Sequence, residues 1–121
     1  MVPPATILRE QAALLREKTN QLVEGDVRSY SVDDSPKLPF RHDFNVVVPS
    51  LGNWRYRLFT VVHGVELYPL RVQASFDTFE CQTEEQFTEV LRQVLADPTT
   101  LKVVSSLVAL SANPGALPVP V

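Results

Sequence analysis

Apolar residues recur along the first part of the chain with the period of a helix. Between residues 5 and 24, Leu8, Ala12, Leu15 and Leu22 follow one another at spacings of four, three and seven, and Ile7 and Leu14 widen the stripe. Arg9, Glu10, Arg16, Glu17 and Lys18 fill the opposite face. The pattern predicts a helix over 5–24, entered at Pro3 and Pro4 and stopped by Gly25, a residue suited to a left-handed exit. Two heptad steps are too few for a sustained coiled coil, so the stripe is expected to pack on a sheet.

The period then changes to two. A weak alternation over 28–32 predicts an edge strand, interrupted by the turn-rich segment Asp33-Asp34-Ser35-Pro36-Lys37. Over 40–48, Phe40, His42, Phe44, Val46 and Val48 share one face and Arg41, Asp43 and Asn45 the other, which predicts a strand buried on one side. Pro49 to Asn53 reads as a turn. A second long strand is predicted over 54–63. Unbroken alternation there puts Trp54, Tyr56, Leu58, Thr60 and Val62 on one face, and Arg55, Arg57, Phe59, Val61 and His63 on the other. After a reversal at Gly64, a third strand is predicted over 66–75, with Pro69 forcing it to an edge or a bulge.

Two helices follow. Thr83-Glu84-Glu85-Gln86 has the form of a capping box, and Phe87, Val90, Leu91, Val94 and Leu95 continue as one apolar stripe. Asp97-Pro98 supplies an N-cap and a first-position proline for a last helix to about residue 111. That helix is apolar around more than one stripe, which predicts burial or an interface. The expected fold is α+β: a three- or four-stranded antiparallel meander with one N-terminal and two C-terminal helices, the helices on one sheet face. It spans 1–112 as one domain, and 113–121, with three prolines, is expected to be an extended tail.

Composition narrows the function classes. The chain of 121 residues is 45% hydrophobic and 21% charged, which suits one folded domain. A formal net charge of −3 provides no global field for nucleic acid or an anionic membrane and slightly favours a basic partner. One cysteine, Cys81, cannot form an internal disulfide, and the opening MVPPATILREQ has no leader pattern, so the expectation is cytoplasmic with no membrane association.

Candidate chemistry is sparse. Cys81, ahead of a helix start, has the setting of an activated thiolate, but only His42 and His63 are available as a base and neither stands in a signature with it. No HxxxH, paired cysteine or acidic calcium loop occurs, and the four glycines, at 25, 52, 64 and 115, are too scattered for a phosphate loop. No metal, cofactor or catalytic residue is therefore expected. Arg55, Arg57 and, across the next hairpin, Arg71 form a basic spot, while alternation sends Trp54 and Tyr56 to the other face.

The leading expectation is a non-enzymatic protein-binding module, adaptor-, chaperone- or immunity-like by fold-level analogy alone, whose partner is another protein or a second copy of the chain. Its surface would be the uncovered sheet face carrying Arg55, Arg57, Phe59, Val61 and Arg71, with Phe59 and Val61 as exposed apolar area. The alternative is a nucleic-acid-binding domain using Arg55, Arg57 and Arg71, against which the net charge counts. A small cysteine- or histidine-dependent enzyme is the weaker alternative.

Overall fold

The structure is a computed structural model that describes residues 2–113. In chain order it contains α1 (Pro4–Lys18), β1 (Glu24–Ser31), β2 (Phe40–Val48), a 3-10 turn (Pro49–Leu51), β3 (Trp54–His63), β4 (Leu70–Ala74), β5 (Thr78–Cys81), α2 (Glu84–Ala96) and α3 (Pro98–Ala112). The strands form one antiparallel sheet in the order β1-β2-β3-β4-β5. The α+β class, the meander and the three helices stand as expected, with five strands in place of three or four. The additional strand is β5, which precedes α2 where the sequence suggests only a helix approach. The expected tail falls on 114–121, outside the described residues.

α1 ends sooner than its apolar stripe suggests. The Gln21 N–H reaches the Arg16 carbonyl at 2.9 Å and the Asn20 N–H reaches Glu17 at 3.3 Å, the paired bonds of a Schellman stop. Asn20 holds the positive φ, 53°, that such a stop requires. Leu22 therefore lies beyond the helix, and the chain is already in β1 by Glu24, four residues ahead of the expected strand start.

Gly25, expected as the helix stop, instead lets α1 lie against β1. A Cβ there would stand 2.5 Å from the Ala12 Cα and 2.8 Å from its carbonyl oxygen. β4 is likewise shorter than predicted and begins after Pro69, so the missing N–H of that proline removes no ladder bond.

All three helices cover one sheet face. Leu8 and Ala12 of α1 and Phe87, Leu91 and Val94 of α2 close over Phe44, Phe59, Val61, Leu70, Val72 and Cys81. Leu107 of α3 closes over Val23, Val46 and Val48, with Val103, Val104 and Val108 beside it. Caps fix the helix starts. Thr83 Oγ1 accepts the Gln86 N–H at 3.2 Å, and Gln86 Oε1 accepts from the N–H of Gln82, one residue ahead of the cap itself. Asp97 Oδ1 accepts the Thr99 N–H at 2.8 Å. Among the described residues no single helix is long and apolar enough to cross a membrane.

One irregularity decides what each sheet face carries. Phe44 stands opposite Phe59, but the next residue of β2, Asn45, stands opposite Arg57, so Leu58 is an extra residue in β3. The bulge reverses the facing of everything before it. Trp54 and Tyr56, opposite Val48 and Val46, join the helix-covered side, while Arg55 and Arg57 join Thr60 and Val62 on the uncovered side.

Candidate functional site

The uncovered face is mostly polar, with Val47 and Val62 buried among its longer side chains. β1 contributes Asp26, Arg28 and Tyr30, β2 contributes Arg41, Asp43 and Asn45, and β3 contributes Arg55, Arg57 and Thr60, placed in adjoining rows by the register. Phe59 and Val61, expected as exposed apolar area here, are 2% and 0% exposed in the helix-covered core. The bulge at Leu58 is the physical reason, because it breaks the alternation that assigned them to the arginine face. Arg55, Arg57 and Arg71 do share the uncovered face.

Two of those three arginines are already engaged. Arg55 Nε lies 3.1 Å from Asp26 Oδ2, and Arg71 Nε lies 3.2 Å from Glu80 Oε1. Among the described residues, Arg28, Arg41 and Arg57 form no ion pair. Arg28 stands opposite Asp43 in the ladder, yet the Asp43 carboxylate accepts instead from Thr60 Oγ1 at 2.7 Å and from Tyr30 Oη at 3.3 Å. Burial, and next the charge of Asp43, push the Tyr30 phenol upward, so it stays a donor at neutral pH.

Arg28, Arg41, Arg55 and Arg57 line an open concavity of about 860 Å³ that runs from the sheet centre to the end of β4, with Asp43 as the carboxylate among its lining residues. Arg41 is half-buried, and its Nε is enclosed without a hydrogen-bond partner. An enclosed guanidinium N–H lacking an acceptor is costly, and because it is shut off from the surface it is the outer nitrogens of the arginines that a docked acceptor would meet. Neither Arg28 nor Arg41 is singled out by the sequence, since no other arginine or lysine stands within two positions of either. Only the β1–β2–β3 register gathers them beside Arg57.

The second polar cluster lies on the covered side. Ser29 Oγ is 2.7 Å from His42 Nδ1, His42 Nε2 is 2.7 Å from His63 Nε2, and His63 Nδ1 is 2.8 Å from the Gly64 carbonyl oxygen. A carbonyl only accepts, so in the neutral pair His63 carries its proton on Nδ1. Its Nε2 then accepts from His42 Nε2–H, and His42 Nδ1 accepts from the Ser29 hydroxyl. The two rings are 8% and 6% exposed and lie edge to edge, their planes 20° apart and their centroids 4.8 Å apart. Burial, then the neighbouring His63 and Arg9, against an opposing pull from Asp43, bring the His42 pKa down to about 4. The serine–histidine distance suits a nucleophile and its base, but an imidazole with that basicity is a weak proton acceptor at neutral pH.

Cys81 is fully buried at the end of β5, and burial pushes its thiol upward. In its sheet row it is separated from His63 by Leu70, which pairs with both. Two strand spacings put them about 10 Å apart, so cysteine and histidine do not meet. Among the described residues no three metal-ligating side chains converge. Between α1 and α3, the half-exposed Leu14 and Leu101 stand at a further hollow of about 290 Å³. Comparison with protein-family models, with curated proteins and with solved structures gives no significant match.

Proposed function

We propose that this protein is a non-enzymatic binding module that docks an acidic protein partner on its uncovered sheet face. The observation carrying this reading is the convergence of Arg28, Arg41 and Arg57 on one concavity without ion-pair partners among the described residues. A carboxylate-rich surface supplies what those groups lack, and the arginine fork takes carboxylates in bidentate geometry. Phe59 and Val61 are buried and offer no apolar docking area, and the local excess of arginine on this face calls for an acidic partner in place of the basic one that the net charge favours.

Nucleic acid is less favoured by the same geometry. Asp26, Asp43 and Glu80 interrupt the continuous basic track that a phosphate chain follows, and Trp54 does not line the arginine-bearing concavity.

The test is fluorescence anisotropy with two probes, a ten-residue peptide of glutamates and a single-stranded oligonucleotide of similar charge. The peptide should bind, weaken with added salt, and lose at least about tenfold in affinity, equivalent to about 1.4 kcal/mol, in the R41Q/R57Q double variant. Tighter binding of the oligonucleotide, abolished by the same double variant, would replace this reading with the nucleic-acid one. Failure of both probes would end it.

A further inference from the structure

β3 is ten residues long, but β4 pairs only with its second half, from Phe59 opposite Ala74 to His63 opposite Leu70. Residues 54–57 pair with β2 on one side, and Leu58 is the bulged residue that follows them. On the other side, among the described residues, they have neither a strand partner nor a backbone bond to a loop. The chain leaves β4 at Ala74, turns, and the Ala74 N–H bonds back to Asp77 at 2.9 Å, so β4 cannot extend to cover them. Alternate residues of such a segment aim N–H and C=O outward, and an open stretch of this kind is a template for one more strand. The notch it makes opens into the arginine-lined concavity, which Arg55, Tyr56, Arg57 and Ser75 border.

We propose that an extended partner segment with alternating acidic and apolar residues adds to residues 54–58 of β3 as a further strand. This rests on the docking reading above and specifies how the partner is held. Side chains of the added strand would alternate between the faces. On one they stand beside Arg55 and Arg57, and on the other beside Trp54 and Tyr56, which are 49% and 38% exposed. Five residues of open edge, about 17 Å at 3.3 Å each, set the length of the core segment.

A second copy of the chain is a poor occupant. Antiparallel self-pairing about Tyr56 would set Arg55 directly across from Arg57 twice, and like charges in that position repel. The outer edge of β1 is longer, but it presents Glu24, Asp26 and Arg28 in mixed sign, so it offers an acidic strand no comparable complement.

The test uses the whole protein and a labelled ten-residue peptide alternating glutamate and valine, with two analogues, one N-methylated at every glutamate and the other at every valine. With the added strand antiparallel to β3, as every neighbouring pair in this sheet is, the alternating charge fixes which peptide amides face β3. The parent peptide should therefore bind and slow amide exchange at residues 54–58, and one analogue should bind at least tenfold more weakly while the other binds like the parent. Equal binding of all three peptides would overturn strand addition and leave acidic docking standing. Exchange slowed along β1 instead, or concentration-dependent protection of 54–58 without peptide, would also overturn it. If neither this peptide nor the all-glutamate probe binds, the docking reading itself fails.

Discussion

His42 and His63 share a hydrogen bond of 2.7 Å between their Nε2 atoms, inside a chain anchored by the Gly64 carbonyl at one end and the Ser29 hydroxyl at the other. A second proton on His42, at Nδ1, would turn the Ser29 hydroxyl from donor to acceptor while leaving a buried charge near Arg9.

His42 makes stability depend on pH. His42 is held at about 4 in the folded chain against 6.5 unfolded. The unfolded state therefore takes up the proton first, and stability is highest above pH 6.5 and falls as pH drops from there towards 4. Between pH 7.5 and pH 5 the loss from this group is about 2 kcal/mol, and urea unfolding at the two pH values measures it. H42Q should remove most of that slope, and an unchanged slope in the variant would assign it to other groups.

The direction of the hydrogen-bond chain is also testable. Nitrogen-15 NMR of the imidazoles should find His42 protonated on Nε2 and His63 on Nδ1 at neutral pH. S29A should cost about 1–2 kcal/mol by leaving a buried acceptor unmet. The opposite tautomer at His42 would reverse the assignment.

Gly25 is a matter of space between backbones. G25A should destabilise the protein by about 1–3 kcal/mol or more in chemical unfolding, because the new methyl meets Ala12. Adding A12G should not rescue it, since the Ala12 Cα and carbonyl oxygen, at 2.5 and 2.8 Å, remain in both. Full rescue would place the conflict in the side chain alone.

Cys81 should behave as an inert core thiol. Labelling with an aromatic disulfide in native buffer should run about 10³-fold or more slower than in denaturant, in proportion to the small population that exposes it. Rapid labelling of folded protein would contradict both its burial and its upward-shifted ionisation.

Much of the architecture was legible because it is local. Period-two alternation sufficed for 40–48 and 54–63, and both strands have those bounds in the structure. The caps at Thr83 and Asp97 announced α2 and α3, since a cap acts on N–H groups two or three residues away. β5 was missed because four residues, Thr-Phe-Glu-Cys, are too few to establish a period, and their strand character comes from pairing with β4. The α1 stop was signalled by Asn20, a residue that tolerates a positive φ, but Gly25 offered the stronger local cue.

By itself, then, the sequence determined the α+β class, two of the long strands and the two capped helices, because periodicity and capping act within a few residues. The tertiary structure decided which side chains meet. Nothing in Trp-Arg-Tyr-Arg-Leu-Phe-Thr-Val-Val-His marks Leu58 as an extra residue, since a bulge exists only in the pairing of β3 with β2. That one pairing event buried Phe59 and Val61, kept Arg55 and Arg57 on the open face and brought Arg28 and Arg41 beside them. The half-edge at 54–58 was equally hidden, for it depends on where a neighbouring strand ends.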